Sequence, residues 1–342
     1  MTEALKTATP IRTLPGIALA AAVGVAAILC ARALKPTLPL SEMVVALLIG
    51  IGLNRIAMAP AFQPGLQFCV RTLLRIAVAL LGIRIALADI AALGWHTAAM
   101  VIAAMALTIV SAMVLAKALG RSDNLGALAG VGTAVCGASA TLATAAILPA
   151  YPRKQADVVF VVVAVNALST VAMIVYPPVA RLAGFDDHTA GILFGATIHD
   201  VAQVVGAGYS VSERAGNTAV IVKLFRVALL LPVVTAVGWW FARRGLAAAG
   251  RARIPVPLFA VFFLLLCIAN SFATSSGLAP HYAPLKAWVV EASTFGLVIA
   301  ISALGLQTSL TDIRAIGWHA PVLVVAITLL LLAFCMALLA AA

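Results

Sequence analysis

Charge is what this chain has least of. Only 10% of its 342 residues are Asp, Glu, Lys or Arg, against about 25% in a soluble domain. Hydrophobic residues make up 64% and the mean hydropathy is +1.15. No soluble fold hides that much apolar surface, so the chain reads as a polytopic membrane protein. Acids are scarcer still, 11 against 22 cations, for a net charge of +11. In a soluble protein that excess would suggest nucleic acid. Here the cations are scattered through short loops between apolar runs, which is what orientation in a bilayer requires, and no nucleic-acid module is present. Cysteine is sparse too. Cys30, Cys69, Cys136, Cys267 and Cys335 are dispersed, with no disulfide framework and no CxxC metal pattern. A P-loop, an HExxH motif and a paired-carboxylate metal site are all missing. No ATP engine, metal or cofactor is therefore expected, and no enzyme.

What is present is a series of apolar runs. A span needs roughly 20 apolar residues. Candidates are Ile17–Leu34, Leu40–Ile56, Leu66–Leu87, Trp95–Leu119, Asp157–Leu182, Asn217–Phe241, Pro257–Phe272, Leu285–Leu306 and Trp318–Leu339. Lys6 and Arg12 precede the first, which reads as a span and not as a signal peptide. Two further stretches are too polar and glycine-rich for plain spans. They are Gly130–Pro149 (GVGTAVCGASATLATAAILP) and Gly191–Tyr209 (GILFGATIHDVAQVVGAGY). In hydrocarbon, irregular backbone survives only where it is buried in protein or lines a wet cavity. Two such interruptions point to a transporter's binding site. The expected fold is all-α, with about 9–11 transmembrane segments, two of them broken or re-entrant. One integral membrane domain is expected over residues 1–342, with a broken-helix core at 126–241.

Arg243, Arg244, Arg251 and Arg253 mark residues 242–254 as cytoplasmic. Counting back puts the N-terminus inside, provided both interruptions span or both re-enter. Re-entry would keep Arg153 and Lys154 in the cytoplasm as well, and the positive-inside rule favours it. Leu81–His96 (LGIRIALADIAALGWH) and Leu304–His319 (LGLQTSLTDIRAIGWH) share nine of sixteen positions, including Asp89/Asp312 and the Gly-Trp-His triplet. Pro39–Asn54 aligns loosely with Pro255–Asn270. The copies, roughly 39–119 and 255–340, are separated by an odd number of crossings and are therefore expected to be inverted, as in secondary transporters.

The first interruption offers Gly132, Thr133, Cys136, Gly137 and Ser139, with Thr141 and Thr144 beyond. A helix beginning near Gly137 would aim its positive N-terminal end into the cavity, an arrangement that suits an oxyanion. Small-residue helix packing is the plainer reading. The second interruption offers His199, Asp200 and Gln203, on one side of a helix. His199–Asp200 suits proton coupling, and a structural hydrogen-bonded pair is the alternative. Lys223 and Arg226 lie about 9 and 13 Å into their span, where a buried ion pair with Asp200 competes with an anionic ligand. Asn166, Ser169, Thr170, Asn270, Ser293, Thr294 and Ser302 read as helix-to-helix hydrogen-bonding residues.

GTAVCGASATLA (Gly132–Ala143), GATIHDVAQVVGAG (Gly195–Gly208) and NTAVIVKLFRVALLLPV (Asn217–Val233) resemble the YeiH-like bacterial inner-membrane family, whose members are usually labelled sulfate exporters. PGLQFCVRTLLRIAVALLGIRI (Pro64–Ile85) and STFGLVIAISALGLQT (Ser293–Thr308) fit as well. The resemblance implies the broad cation/proton antiporter and anion transporter group, with inverted repeats and unwound helices at mid-membrane. It places the two breaks at Cys136–Ser139 and His199–Gln203. The threonines at Thr141 and Thr144 depart from it. The expectation is a multi-pass inner-membrane secondary transporter, an exporter of a small oxyanion such as sulfate or a sulfur-containing organic anion. Gly132, Thr133, Cys136, Gly137, Ser139, Gln203, Lys223 and Arg226 would bind substrate, and His199 and Asp200 would couple protons. A cation/proton antiporter using Asp200 and a membrane enzyme or sensor are the alternatives. Expected partners are the small anion, the lipid bilayer and, as a candidate, a second copy in a homodimer.

Overall fold

The structure, a computed structural model, describes residues 10–34, 42–244, 258–275, 279–308 and 321–341. Lys6, Pro39, Arg251, Arg253, Pro255, Asp312, Trp318 and His319 lie outside the described residues. The described secondary structure is helical throughout, and seven helices are long and apolar enough to cross a membrane. The protein is thus an all-α, multi-pass membrane protein. The chain forms two compact units, one from Met1–Ala91 with Leu258–Thr311, the other from Ala92–Pro257 with Asp312–Ala342.

The first unit contains α1 (Pro10–Leu34), α2 (Glu42–Gly52), α3 (Gln63–Arg84), and later in the chain α11 (Leu258–Ser275) and α12 (Ala279–Gln307). Hydrophobicity cannot drive helices together in lipid, so close backbone approach has to. Glycine supplies it here. Gly16 of α1 lies against Gly65 of α3, and a Cβ on either would meet backbone. Gly82 of α3 lies against the backbone of Phe263 and the side chain of Leu266. Gly305 of α12 lies against Leu47 and Gly50 of α2. These two contacts correspond. Gly82 and Gly305 hold the same place in the repeated Leu-Gly motif, and setting Asn54 on Asn270 puts Leu47 on Phe263 and Gly50 on Leu266. The asparagines match as well. Asn54 donates to the Leu306 carbonyl at 2.8 Å, and Asn270 to the Ile85 carbonyl at 3.2 Å. Each copy thus closes the end of a helix from the other.

The second unit contains α4 (Gly94–Ala118), α5 (Asp123–Ala134), α6 (Ala138–Ile147), α7 (Lys154–Leu182), α8 (Asp187–Thr197), α9 (Val201–Val211), α10 (Glu213–Arg243, jointed at Leu229) and α13 (Pro321–Ala341). Neither interrupted stretch crosses it. In the second, α8 runs alongside α10, with Gly191 against Ala215 and Thr218 and Gly195 against Ala219 and Val222. The chain turns at residues 198–200, and α9 returns, bringing Gly208 back to Gly216 and Ala219. His188 near the start of α8 and Tyr209 near the end of α9 hydrogen-bond to the adjacent Thr218 and Asn217. In the first, α5 turns at Val135–Gly137 and α6 folds back, placing Thr141 against Gly132. Both outer ends reach the far end of α10. Arg244 bridges to Asp123 at 3.1 Å, and Gly238 lies against Ile147. The two hairpins therefore enter the unit from opposite ends of α10.

The ends differ in charge. Lys117, Arg121, Arg153, Lys154, Arg243 and Arg244 gather at the α5–α6 end with Asp123 and Asp157. Arg181, Arg214, Asp186, Asp187 and Glu213 gather at the α8–α9 end. By the positive-inside rule the first end is the one expected on the cytoplasmic side. Arg243 stacks at 3.8 Å over Trp239 and Arg244 at 3.8 Å over Trp240, the aromatic anchoring expected at an interface.

Valine at Gly82 or Gly305 must displace backbone. Either substitution is expected to destabilise the protein by about 1–3 kcal/mol, read as a lower melting temperature in detergent. Gly52→Ala, with nothing within 4 Å of its Cβ position, should stay near wild type.

Candidate functional site

A hairpin inside a membrane creates an electrostatic problem at its tip. The first helix ends in carbonyls that have no partner on the next turn, and the second begins with amides. Each terminus carries about half an elementary charge, negative for carbonyls and positive for amides. Both hairpin tips lie in the buried middle of the second unit, so these groups need internal partners.

α10 provides them for the carbonyl ends. Lys223 and Arg226 are both 0% exposed and stand one turn apart. Lys223 Nζ donates to the carbonyls of Val135 (2.7 Å), Ile198 (3.0 Å) and His199. The Arg226 guanidinium donates to Ala134 (Nε, 2.8 Å), Thr133 (2.8 Å), Gly195 (2.8 Å) and Ile198 (3.1 Å). Six carbonyls from two hairpins are thereby fastened to one helix by two side chains. An ammonium has three donors and a guanidinium five in a rigid fork. The three hydrogen bonds of Lys223 use its whole supply, and Arg226 uses four of its five N–H groups. The expected choice between an Asp200 ion pair and a bound anion thus has a third resolution, in backbone carbonyls.

The amide ends are arranged differently. Gly137 turns the first tip with φ +67°, the region where a Cβ is disfavoured, and α6 begins with no side-chain cap. Asp200 caps α9, accepting from the Ala202 amide at 3.1 Å. Its Oδ2 also lies 3.7 Å from where a Cβ of Gly137 would stand, so the carboxylate serves the neighbourhood of both tips. Ser169 of α7 accepts from the amides of His199 (3.1 Å) and Asp200 (3.0 Å). Ala138, Asp200 and Val201 are half-buried and Ser139 is exposed. The carbonyl ends face inward onto cations, and the amide ends face the accessible side.

Around them lie buried polar atoms without partners among the described residues: the Thr133 hydroxyl, His199 Nδ1 and Gln203 Oε1. Gln203 Nε2 makes long contacts to Asn166 (3.3 Å) and Thr170 (3.5 Å). The Thr328 hydroxyl of α13 donates to the Val324 carbonyl and lies 2.9 Å from His199 Nε2, where it would accept from the Nε2–H tautomer. A neutral ring then presents a bare Nδ1 acceptor. Cys136 sits at the first tip, 7% exposed. Thr141 and Thr144 turn their hydroxyls back onto the carbonyls of Gly137 and Ala140 and do not line the opening. Sequence named Gly132, Thr133, Cys136, Gly137, Ser139, His199, Asp200, Gln203, Lys223 and Arg226, and all of these gather at the two tips. Gly132 packs beneath its tip, against Thr141 and Val161. Thr328 was missed, because a lone threonine in an apolar run carries no signal. Among the described residues no group of His, Cys, Asp and Glu is arranged to hold a metal.

The chain as a whole is similar to a set of bacterial proteins. The family described as Conserved hypothetical protein 698 matches residues 15–326. The chain is 43% identical over 295 residues to the UPF0324 membrane protein TauZ of Paracoccus pantotrophus, covering 85% of this chain and 86% of that one. It is 44% identical over 269 residues to a UPF0324 membrane protein of Chlorobaculum tepidum, covering 78% and 73%. With another from Rhizobium meliloti it shares 40% over 326 residues, covering 94% and 91%. This chain belongs to the UPF0324 membrane protein family. No solved structure matches it. Membership agrees with the multi-pass bacterial membrane protein described above and leaves the chemistry of the UPF0324 site to its geometry.

Replacing Arg226 by Met should cost about 1–3 kcal/mol for each carbonyl left unpaired. Arg226→Lys should fall between wild type and Arg226→Met, since one ammonium cannot reproduce the fork. Thermal unfolding and the monodisperse yield in detergent measure both.

Proposed function

We propose that the protein is a secondary transporter of a small oxyanion, sulfate or a sulfur-containing organic anion, working as an exporter. The observation that carries this reading is the meeting of two hairpin tips from opposite ends of one unit. An anion held where the amide ends of α6 and α9 open would be closed from the cytoplasm by one hairpin and from outside by the other. Small movements of either hairpin against α10 would then expose it to alternate sides. The reciprocal contacts of Gly82 and Gly305, and of Asn54 and Asn270, support an inverted repeat with interrupted helices, as in known transporter designs. So does the resemblance to the YeiH-like proteins.

The charge balance supports an anion. Two fixed cations lie behind the tips, and the carbonyl ends offset about half a charge each. The amide ends of α6 and α9 point to the accessible side. Asp200 supplies the one carboxylate of the tips, and its protonation would leave the opening more positive. His199, with a bare Nδ1, is placed to receive a proton beside it. Together they form the proposed proton-coupling pair, changing charge as the site alternates between the two sides.

A second reading has its own observation. The Asp200 carboxylate lies at the accessible junction of both tips, where a cation/proton antiporter would place its ion ligand. Ion selectivity separates the two. Proteoliposomes should take up radiolabelled sulfate against unlabelled anion with saturation, insensitive to replacing sodium by potassium. Gln203→Leu, which removes an unpaired buried acceptor, should cut uptake at least tenfold and leave the melting temperature near wild type. Flux of sodium that is indifferent to anions and abolished by Asp200→Asn would establish the antiporter. Absence of any ion flux would end the transporter reading.

A further inference from the structure

Outside the hairpin site, the first unit carries two arginines where a membrane protein should have none. Arg71 and Arg75 stand in the middle of α3, one turn apart, and both are exposed. Their depth follows from packing. Gly65 of α3 lies against Thr13 and Gly16, near the beginning of α1, so that level is close to one face of the membrane. Arg71 and Arg75 follow Gly65 by six and ten residues, about 9 and 15 Å along the helix. The hydrocarbon core is about 30 Å thick, which puts Arg75 at its centre, too deep for its head to reach the surface easily.

Such a cation ordinarily pairs with an acid or a carbonyl. Neither arginine side chain makes a hydrogen bond, an ion pair or a ring contact with a described residue. They are also not isolated. Gln67, Arg71 and Arg75 form an exposed polar stripe at four-residue spacing, while Leu66, Cys69, Leu74, Ala77 and Val78 point into the core of the unit. The stripe crosses a π-helical turn at Cys69–Leu73, a feature that recurs at functional sites. A lipid-facing surface would not carry two charges, each costly to hold near the bilayer centre.

We propose that Gln67, Arg71 and Arg75 form an anion-accepting station on a water-lined face of α3, separate from the hairpin tips. Its ligand class is a small inorganic or organic oxyanion, held by paired guanidinium donors and the glutamine amide. That the anion is transported cargo rests on the function proposed above; the station itself does not.

Cysteine accessibility tests it in the full-length protein, reconstituted in lipid. Cys30, the exposed native cysteine, is first replaced by Ser. Arg71→Cys is then exposed to an anionic sulfonatoethyl and a cationic trimethylammonioethyl thiosulfonate, each rate normalised to that reagent's rate with a free thiol. With Arg75 intact, the anionic reagent should react at least tenfold faster, and the preference should fall towards unity when Arg75→Gln is added. Arg75→Cys with Arg71→Gln is the mirror experiment if the first variant does not fold. No reaction with either reagent, or a preference indifferent to the neighbouring arginine, overturns the proposal. A preference that holds while proteoliposomes carry no anion would leave the station standing and remove the transporter reading. Flux without the preference would do the reverse.

Discussion

Everything at the centre of the second unit follows from one constraint: backbone carbonyls that end inside a membrane must find donors. An unpaired group there costs several kcal/mol. Two helices, α5 and α8, end at mid-depth, and Lys223 and Arg226 answer both from a single turn of α10. Because the two side chains reach both hairpins, the tips cannot be positioned independently. The cations, costly to bury alone, are solvated by the same carbonyls they satisfy.

That arrangement sorts charge within a few ångströms. Carbonyl ends and cations occupy the buried interior, while amide ends, Asp200 and Ser139 face the accessible side. Ser169 and the Asp200 side chain complete the second tip, whereas the first relies on Gly137 and its positive φ. One tip is therefore neutral and backbone-lined, the other ionisable. Asp200 caps α9 and its carboxylate also lies beside Gly137, so it belongs to the neighbourhood of both tips.

Much of this was legible in the residues. The glycine-rich interruptions marked the tips, because only unusual local composition can break an apolar helix. The spacing of Lys223 and Arg226 marked a buried cation pair. Their partners were not legible, because backbone carbonyls leave no trace in side-chain identity, and an acid or an anion was the visible choice. Whether the interruptions crossed or turned back was also open. Hydropathy reports depth and not direction, and the answer lay in which glycines met which helix. The repeated Leu-Gly motif was visible as sequence similarity, yet its reciprocal packing on Leu47–Gly50 and Phe263–Leu266 required the fold. Residues 309–320 of the second copy lie outside the described residues. Arg71 and Arg75 were hidden inside a run that reads as a plain span, since its mean hydropathy of 1.8 still suits one.

The opposed hairpins are the central claim, and sided labelling tests them most directly. Single cysteines replace Ser122, Ala150, His188 and Ser212 in a background lacking Cys30, and an impermeant maleimide is applied to right-side-out and inverted vesicles. The account predicts that positions 122 and 150 react from the cytoplasmic side and positions 188 and 212 from the other. Labelling of 122 and 150 from opposite sides would mean that α5 and α6 cross the membrane, and would contradict the account.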